Sequence, residues 1–218
     1  MIVRMWMSQD VATIGPDTPI IDAASLMARK GIRRLPVVDL RSKPSLVGMV
    51  SATDIIRAFP NDVNPFAVDV EDTNATPVTA AEIMIRHVPT TTPETPIEEA
   101  AALMRDEKVG VLPVLRDERL VGLITESDVF RAFVGLLTSP QGGVRITFDM
   151  SQGEDVFGMI AQVALKRGVR VVSLLSSEQD NRPVCVVRLM GAGVDKLLDD
   201  LWGSGHLVLN VLRFPESK

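Results

Sequence analysis

The stretch Gly48-Met49-Val50-Ser51-Ala52-Thr53-Asp54 returns later in the chain as Gly122-Leu123-Ile124-Thr125-Glu126-Ser127-Asp128. Each copy reads as a short apolar strand, a turn at a hydroxyl residue, and a helix that starts three residues on at the Asp. Two such devices in one chain of 218 residues predict a duplicated unit. The repeat extends outward from them. Shifting the chain by 77 residues aligns 7–37 with 84–114, and 14 of those 31 positions are identical, among them Leu35-Pro36-Val37 and Leu112-Pro113-Val114. A shift of 74 aligns 46–59 with 120–133, with 7 of 14 identical. The offset changes where copy one has eight residues (38–45) and copy two has five (115–119). Turns absorb insertions and packed elements do not, so a hairpin turn is expected there.

The local signals give each copy the order β-α-β-β-α. In copy one, 11–14 is a strand and Thr18-Pro19 starts a helix, with the hydroxyl as N-cap and proline at the first helical position. Ile20, Ala23, Ala24 and Met27 fall on one helical face, and Gly31 ends it. Strands follow at 35–38 and 46–50, then a helix over 54–59. Copy two repeats the face as Ile97, Ala100, Ala101 and Met104, with Thr95 and Glu98 spaced as a capping box and a leading helix over 79–84. The stretch 60–80 carries Asp62, Asp69, Glu71 and Asp72 with no Lys or Arg, the composition of a solvated linker. A cluster of turn formers at 139–143 is the next break. Beyond it, strands at 144–148, 169–177, 183–190 and 206–214 with helices at 155–167 and 194–202 give β-α-β-β-α-β, the ferredoxin-like order. The expected domains are 1–60, a linker 61–79, 80–138 and 143–218.

Composition bounds the function. Hydrophobic residues make up 46% and charged residues 23%, enough to bury separate cores. A net charge of −5 argues against nucleic acid as the main partner. The single cysteine, Cys185, lies in an apolar run and reads as a small buried hydrophobe; no disulfide within the chain is available, which fits a reducing compartment. Residues 1–6 carry no signal-peptide pattern, and no apolar run approaches the ~18 residues of a membrane span, so a cytoplasmic protein is expected. Nor is an enzyme expected. His87 and His206 have no Cys, Ser-elbow or metal-ligand partner at a recognised spacing, and read as surface or internally bonded histidines. No phosphate-binding GxxxxGK[ST] loop occurs, and Gly191-Ala192-Gly193 is too short for a dinucleotide fingerprint.

For the repeated motif two readings stand. Ser51 with Asp54, and Thr125 with Asp128, have the spacing of a capping box that closes on itself. A helix start aimed outward is instead an anion site, with hydroxyls at 51, 53, 125 and 127 to donate to phosphate and an Asp to accept from a ribose diol.

These residues, in the order helix, Leu-Pro-Val strand, turn and Gly-h-h-[Ser/Thr]-x-x-Asp, resemble the cystathionine-β-synthase (CBS) domain, present as a tandem pair over residues 2–133 apart from the linker. The resemblance implies a pseudo-two-fold disc whose clefts bind adenosine nucleotides (AMP, ADP or ATP) or S-adenosylmethionine, as ligands and not as required cofactors. It implies that Asp54 and Asp128 hold ribose, that Ser51, Thr53, Thr125 and Ser127 lie near phosphate, and that Thr13, Pro36 and Pro113 line the clefts. Arg33-Arg34 precede the first Leu-Pro strand where Gly110-Val111 precede the second. Arginine suits phosphate through paired donors, so the Asp54 cleft is expected to favour a phosphorylated adenosine and the Asp128 cleft an uncharged or cationic one. The C-terminal part is similar to ACT-type regulatory domains in element order, and the whole to acetoin-utilisation B-type proteins. Together they imply a non-catalytic sensor, a homodimer, and a regulated partner enzyme; the other reading is a ligand-free interaction scaffold.

Overall fold

Proline in the middle of an antiparallel pair is confined to an edge, and both Leu-Pro-Val runs sit in two-stranded hairpins that allow it. In the computed structural model, residues 1–41, 43–59, 78–137, 143–151, 155–179, 181–203 and 205–215 are described. The chain divides into Met1–Ala132 and Phe133–Lys218. The first unit holds α1 (Ile20–Lys30), β1 (Arg34–Asp39), β2 (Ser45–Ser51), α2 (Ala52–Ala58), α3 (Ala80–Ile83), α4 (Ile97–Glu107), β3 (Val111–Arg116), β4 (Arg119–Thr125) and the start of α5 (Glu126–Leu137). In β1–β2, Val37 faces Gly48; in β3–β4, Val114 faces Gly122, and both hairpins shift register immediately after that pair. Copy two closes with Asp117 and Glu118 at φ 50° and 62°, the left-handed pair of a tight hairpin. The extra residues of copy one fall between β1 and β2, as the change of offset predicts.

The predicted apolar faces are the cores. Ile20, Ala23, Ala24 and Met27 are buried on α1, and Ile97, Ala100 and Met104 on α4, with Ala101 partly buried. Gly31 ends α1 in the left-handed conformation. The helix entrances differ from expectation. Pro19 and Pro96 have ψ of 140°, outside the helical range, so they stand before the first turn and the helices begin at Ile20 and Ile97. Each threonine is thereby moved one residue too far out to cap. Thr18 Oγ1 accepts from the Gly15 amide at 3.1 Å, and Thr95 Oγ1 from the Thr92 amide at 3.2 Å. The expected strand at 11–14 shrinks to one bridge between Ile14 and Val37, and the helix expected to start at Asp54 starts two residues earlier, at Ala52.

The segment that leads each copy packs against the other one. Val3 and Arg4 donate to the carbonyls of Thr95 and Pro93, both at 2.9 Å, Ser8 and Leu123 exchange bonds at 2.9 Å, and Val3 is fully buried in the core of copy two. The predicted leading helix of copy two exists as α3, opened by a capping box between Thr79 and Glu82. It packs into copy one instead: Ala80 donates to Thr18 at 2.8 Å, Met49 and Ile85 exchange bonds at 2.9 Å, and Ala80, Ile83 and Met84 join that core. Gly48 and Gly122 explain the fit. A Cβ at Gly48 would lie 2.9 Å from the Ile85 carbonyl oxygen, and one at Gly122 2.9 Å from that of Ser8. Only a missing side chain lets the crossing segment approach so closely.

The second unit contains β5 (Gly143–Asp149), α6 (Val156–Arg167), β6 (Arg170–Gln179), β7 (Arg182–Met190), α7 (Val194–Trp202) and β8 (Val208–Phe214). The strands form an antiparallel sheet in the order β6-β7-β5-β8. Ile146, Phe148, Val187 and Leu189 meet Ile160, Leu197 and Leu201 of the helices, and Cys185 is buried among them, its thiol pKa raised by desolvation. Arg167 and Asp200 tie α6 to α7 through two bonds of 2.7 Å. Among the described residues no helix is long and apolar enough to cross a membrane. Most of the linker expected at 61–79, the break at 139–143 apart from Gly143, and residues 152–154 lie outside the described residues.

Candidate functional site

Alternation along β2 and β4 brings each chain to its hydroxyl residue in extended conformation, and the next residue opens a helix. The register is fixed from outside the motif: the Ala52 amide donates to the Arg33 carbonyl at 2.9 Å, and the Glu126 amide to the Gly110 carbonyl at 3.2 Å. The capping-box reading is realised in both copies. Asp54 Oδ2 accepts from the Ser51 amide at 2.8 Å and from the Ser51 hydroxyl at 2.6 Å, and the Asp54 amide donates back to Ser51 Oγ at 3.3 Å. Asp128 Oδ2 likewise accepts from the Thr125 amide at 2.8 Å and hydroxyl at 2.7 Å. The hydroxyl protons of Ser51 and Thr125 are therefore already given to carboxylates and are not offered to a phosphate.

Beyond the box the two aspartates part. Asp128 is only 3% exposed, and its other oxygen is bound by the Arg131 guanidinium from the next turn of α5. Asp54 is half-buried, and no described residue donates to its second oxygen. Asp54 lines a cleft.

The cleft has a volume of about 420 Å³ and lies between the two copies, within the range of small-molecule sites. Copy one supplies Arg33, Arg34, Ser51, Thr53 and Asp54; copy two supplies Lys108, Val109, Gly110 and Val111; the segment crossing to copy one adds Ile85, His87, Val88 and Pro89. Arg33, Arg34 and Lys108 thus line the same cleft as the Asp54 carboxylate, while Met49, Ile85, Val109 and Val111 form apolar wall. Arg34 reaches across the divide. Its Nη2 lies 3.4 Å from where a Cβ on Gly110 would stand, and a Glu126 oxygen lies 3.0 Å from the same point. Glycine at 110 leaves room for this approach.

Of the residues singled out in the sequence, Arg33, Arg34, Ser51, Thr53, Asp54, Gly110 and Val111 come together in this cleft. Gly110 and Val111 were expected to mark the Asp128 side; they also form the far wall of the arginine-lined cleft, because the copies face each other across it. Thr125, Ser127 and Asp128 do not line it, and Pro36 and Pro113 are buried within their strands. Thr13 lines a different depression of about 310 Å³ with Arg119 and Val121. Sequence reasoning missed Lys108 and His87. A lysine standing where the repeat has Gly31 was the available signal for the first; His87 carried none, since its place depends on the crossing of its segment.

The matched relatives follow the same division. The model of the CBS domain matches residues 3–61 and 80–135. A CBS domain-containing protein of Dictyostelium discoideum is 31% identical over 141 residues, covering 63% of this chain and 94% of that protein. The CBS domain pair of protein MJ0100, solved in complex with 5′-methylthioadenosine and S-adenosyl-L-methionine, is 29% identical, with a TM-score of 0.51 over 62% of this chain and 97% of that one. A putative acetoin utilisation protein (AcuB) from Vibrio cholerae is 29% identical, with a TM-score of 0.51 over 63% of this chain and 93% of that one. Other curated relatives are longer, and the chain spans only 22% to 47% of the length of the first four matched. With two copies of the matched pattern, the hairpins in register and the helix entrances boxed alike, the chain belongs to the CBS-domain family.

Proposed function

We propose that this chain is a non-catalytic regulatory sensor that binds an adenosine nucleotide (AMP, ADP or ATP) in the cleft lined by Arg33, Arg34 and Asp54, and passes the change to its C-terminal domain or to a partner. The observation that carries the proposal is the juxtaposition of two guanidiniums and the Asp54 carboxylate, all from copy one, in one half-apolar cleft closed by residues of copy two. Guanidinium forks pair with phosphate, a carboxylate accepts from both hydroxyls of a ribose, and apolar walls suit the flat base. Ligation of adenosyl compounds by the MJ0100 pair supports the ligand class. The homodimer, the cytoplasmic setting and the ACT-like nature of residues 143–218 belong to the same proposal; for the last, the observed strand order is the support. A ligand shifts the balance of two arrangements by no more than its difference in affinity for them, typically ~1–3 kcal/mol.

A second reading rests on copy two. Glu126 stands where copy one has Ala52, and its carboxylate lies against Gly110. Negative charge there favours a cationic adenosyl group, and S-adenosylmethionine is the alternative ligand. Thermal melts of the full chain with AMP, ADP, ATP, S-adenosylmethionine and adenosine decide among them. At ~100 times its dissociation constant a ligand adds ~2.7 kcal/mol of stability. A shift with phosphorylated adenosines supports the sensor; no shift with any of the five favours a ligand-free scaffold.

A further inference from the structure

Lys108 ends α4 at φ 53° and ψ 42°. Gly31, its counterpart at the end of α1, has φ 62° and ψ 31°. The same left-handed turn is thus made once by the residue suited to it and once by a lysine, whose Cβ is crowded there. Nothing in the turn itself requires a lysine, because Gly31 closes the other helix with the same backbone. Arg105, one turn earlier, pairs with Asp106; Lys108 has no carboxylate partner among the described residues. What distinguishes the position is its place: Lys108 lines the cleft with Arg33 and Arg34, whereas Gly31 does not. A side chain kept at an unfavourable backbone station points to use of that side chain.

We propose that Lys108 is a specificity-determining residue of the cleft, supplying from copy two the third cation for a phosphate that Arg33 and Arg34 meet from copy one. The proposal rests on the nucleotide reading of this cleft and adds to it a direction: phosphate becomes the group that joins the two copies. Adenosine without phosphate gains nothing from Lys108, so the residue separates nucleotide from nucleoside. The arrangement also accounts for the asymmetry of the repeat. Copy two lacks the arginine pair before its Leu-Pro strand and contributes its cation two residues earlier, across the divide.

The test uses the full chain with Lys108→Gly and Lys108→Gln, read by the thermal midpoint without ligand and by calorimetric titration of AMP and adenosine. Lys108→Gly relieves the turn and is expected to raise the midpoint by a few degrees while weakening AMP roughly tenfold. Lys108→Gln keeps the crowded turn, so AMP weakens to a similar extent with no rise in midpoint. Adenosine affinity stays unchanged in both. AMP affinity equal to wild type in both variants overturns the role of Lys108 while leaving the cleft reading standing. Failure of the wild type to bind AMP overturns that reading and the role of Lys108 with it.

Discussion

Asp54 and Asp128 hold the same station in two copies of one fold, close the same capping box, and are left with different chemistry. Arg131 engages the outer oxygen of Asp128 and the residue is buried; Asp54 is half-buried, no described residue donates to its outer oxygen, and it lines a cleft with Arg33 and Arg34. The box is a folding device shared by both copies, since it satisfies orphan donors at a helix start whatever lies outside. The neighbours one layer away differ between the copies: Arg33-Arg34 stand against Gly110-Val111, and Ala52 against Glu126. Duplication preserved the scaffold and released the rims.

The largest expected effect bears on that divergence. Replacing Arg33 and Arg34 together by Ala removes the charge-assisted donors and is expected to weaken AMP by about 10- to 100-fold, from ~1.5–3 kcal/mol of lost hydrogen bonding. Titration calorimetry checks it, and undiminished AMP affinity would break the contrast between the copies. Next come Gly48→Ala and Gly122→Ala. Each forces a Cβ within 2.9 Å of a crossing carbonyl oxygen, and overpacking of that kind costs about 1–3 kcal/mol. Urea unfolding should show similar losses for the two; a loss at only one site would mean that the crossings are not equivalent.

A smaller effect separates the two aspartates. Asp54→Ala and Asp128→Ala each remove a cap worth about 1 kcal/mol, so both should lower the thermal midpoint. Only Asp54→Ala should also weaken nucleotide binding, and an equal loss of affinity in Asp128→Ala would sink the assignment of the site to one cleft. The smallest effect lies in the second unit. Arg167 holds the Asp200 carboxyl below its ordinary pKa through their paired hydrogen bonds. A carboxylate depressed in the folded state stabilises fully above its unfolded pKa, and the contribution is lost as pH falls through the folded value. Asp200→Asn should therefore melt slightly below wild type at neutral pH, with the gap closing in strong acid.

The duplication, the hairpins, the apolar faces of α1 and α4 and the element order of the second unit were all legible along the chain. Periodicity, turn residues and a fixed offset are properties of neighbours in sequence. The entrances to α1 and α4 misled because Thr18-Pro19 and Thr95-Pro96 carry the residues of a cap, while the backbone of the proline, set by the turn before it, decides where the helix begins. For the site, Arg33, Arg34 and Asp54 were singled out in the sequence and line one cleft, while the sequence left box and anion site as alternatives and the structure closes the box in both copies. Which oxygen stays open was not readable.

By itself the sequence determined a tandem CBS pair and the pattern of its second unit, because each repeat carries its own strand, turn and helix signals in order. Only the tertiary structure decided that residues 1–8 complete copy two and residues 78–86 complete copy one. It alone brought Lys108 and His87 to Arg33 and Arg34, and tied Asp128 while leaving Asp54 open. Those outcomes depend on the packing of segments far apart in the chain, governed by buried area and close approach at Gly48 and Gly122, and no local pattern encodes them.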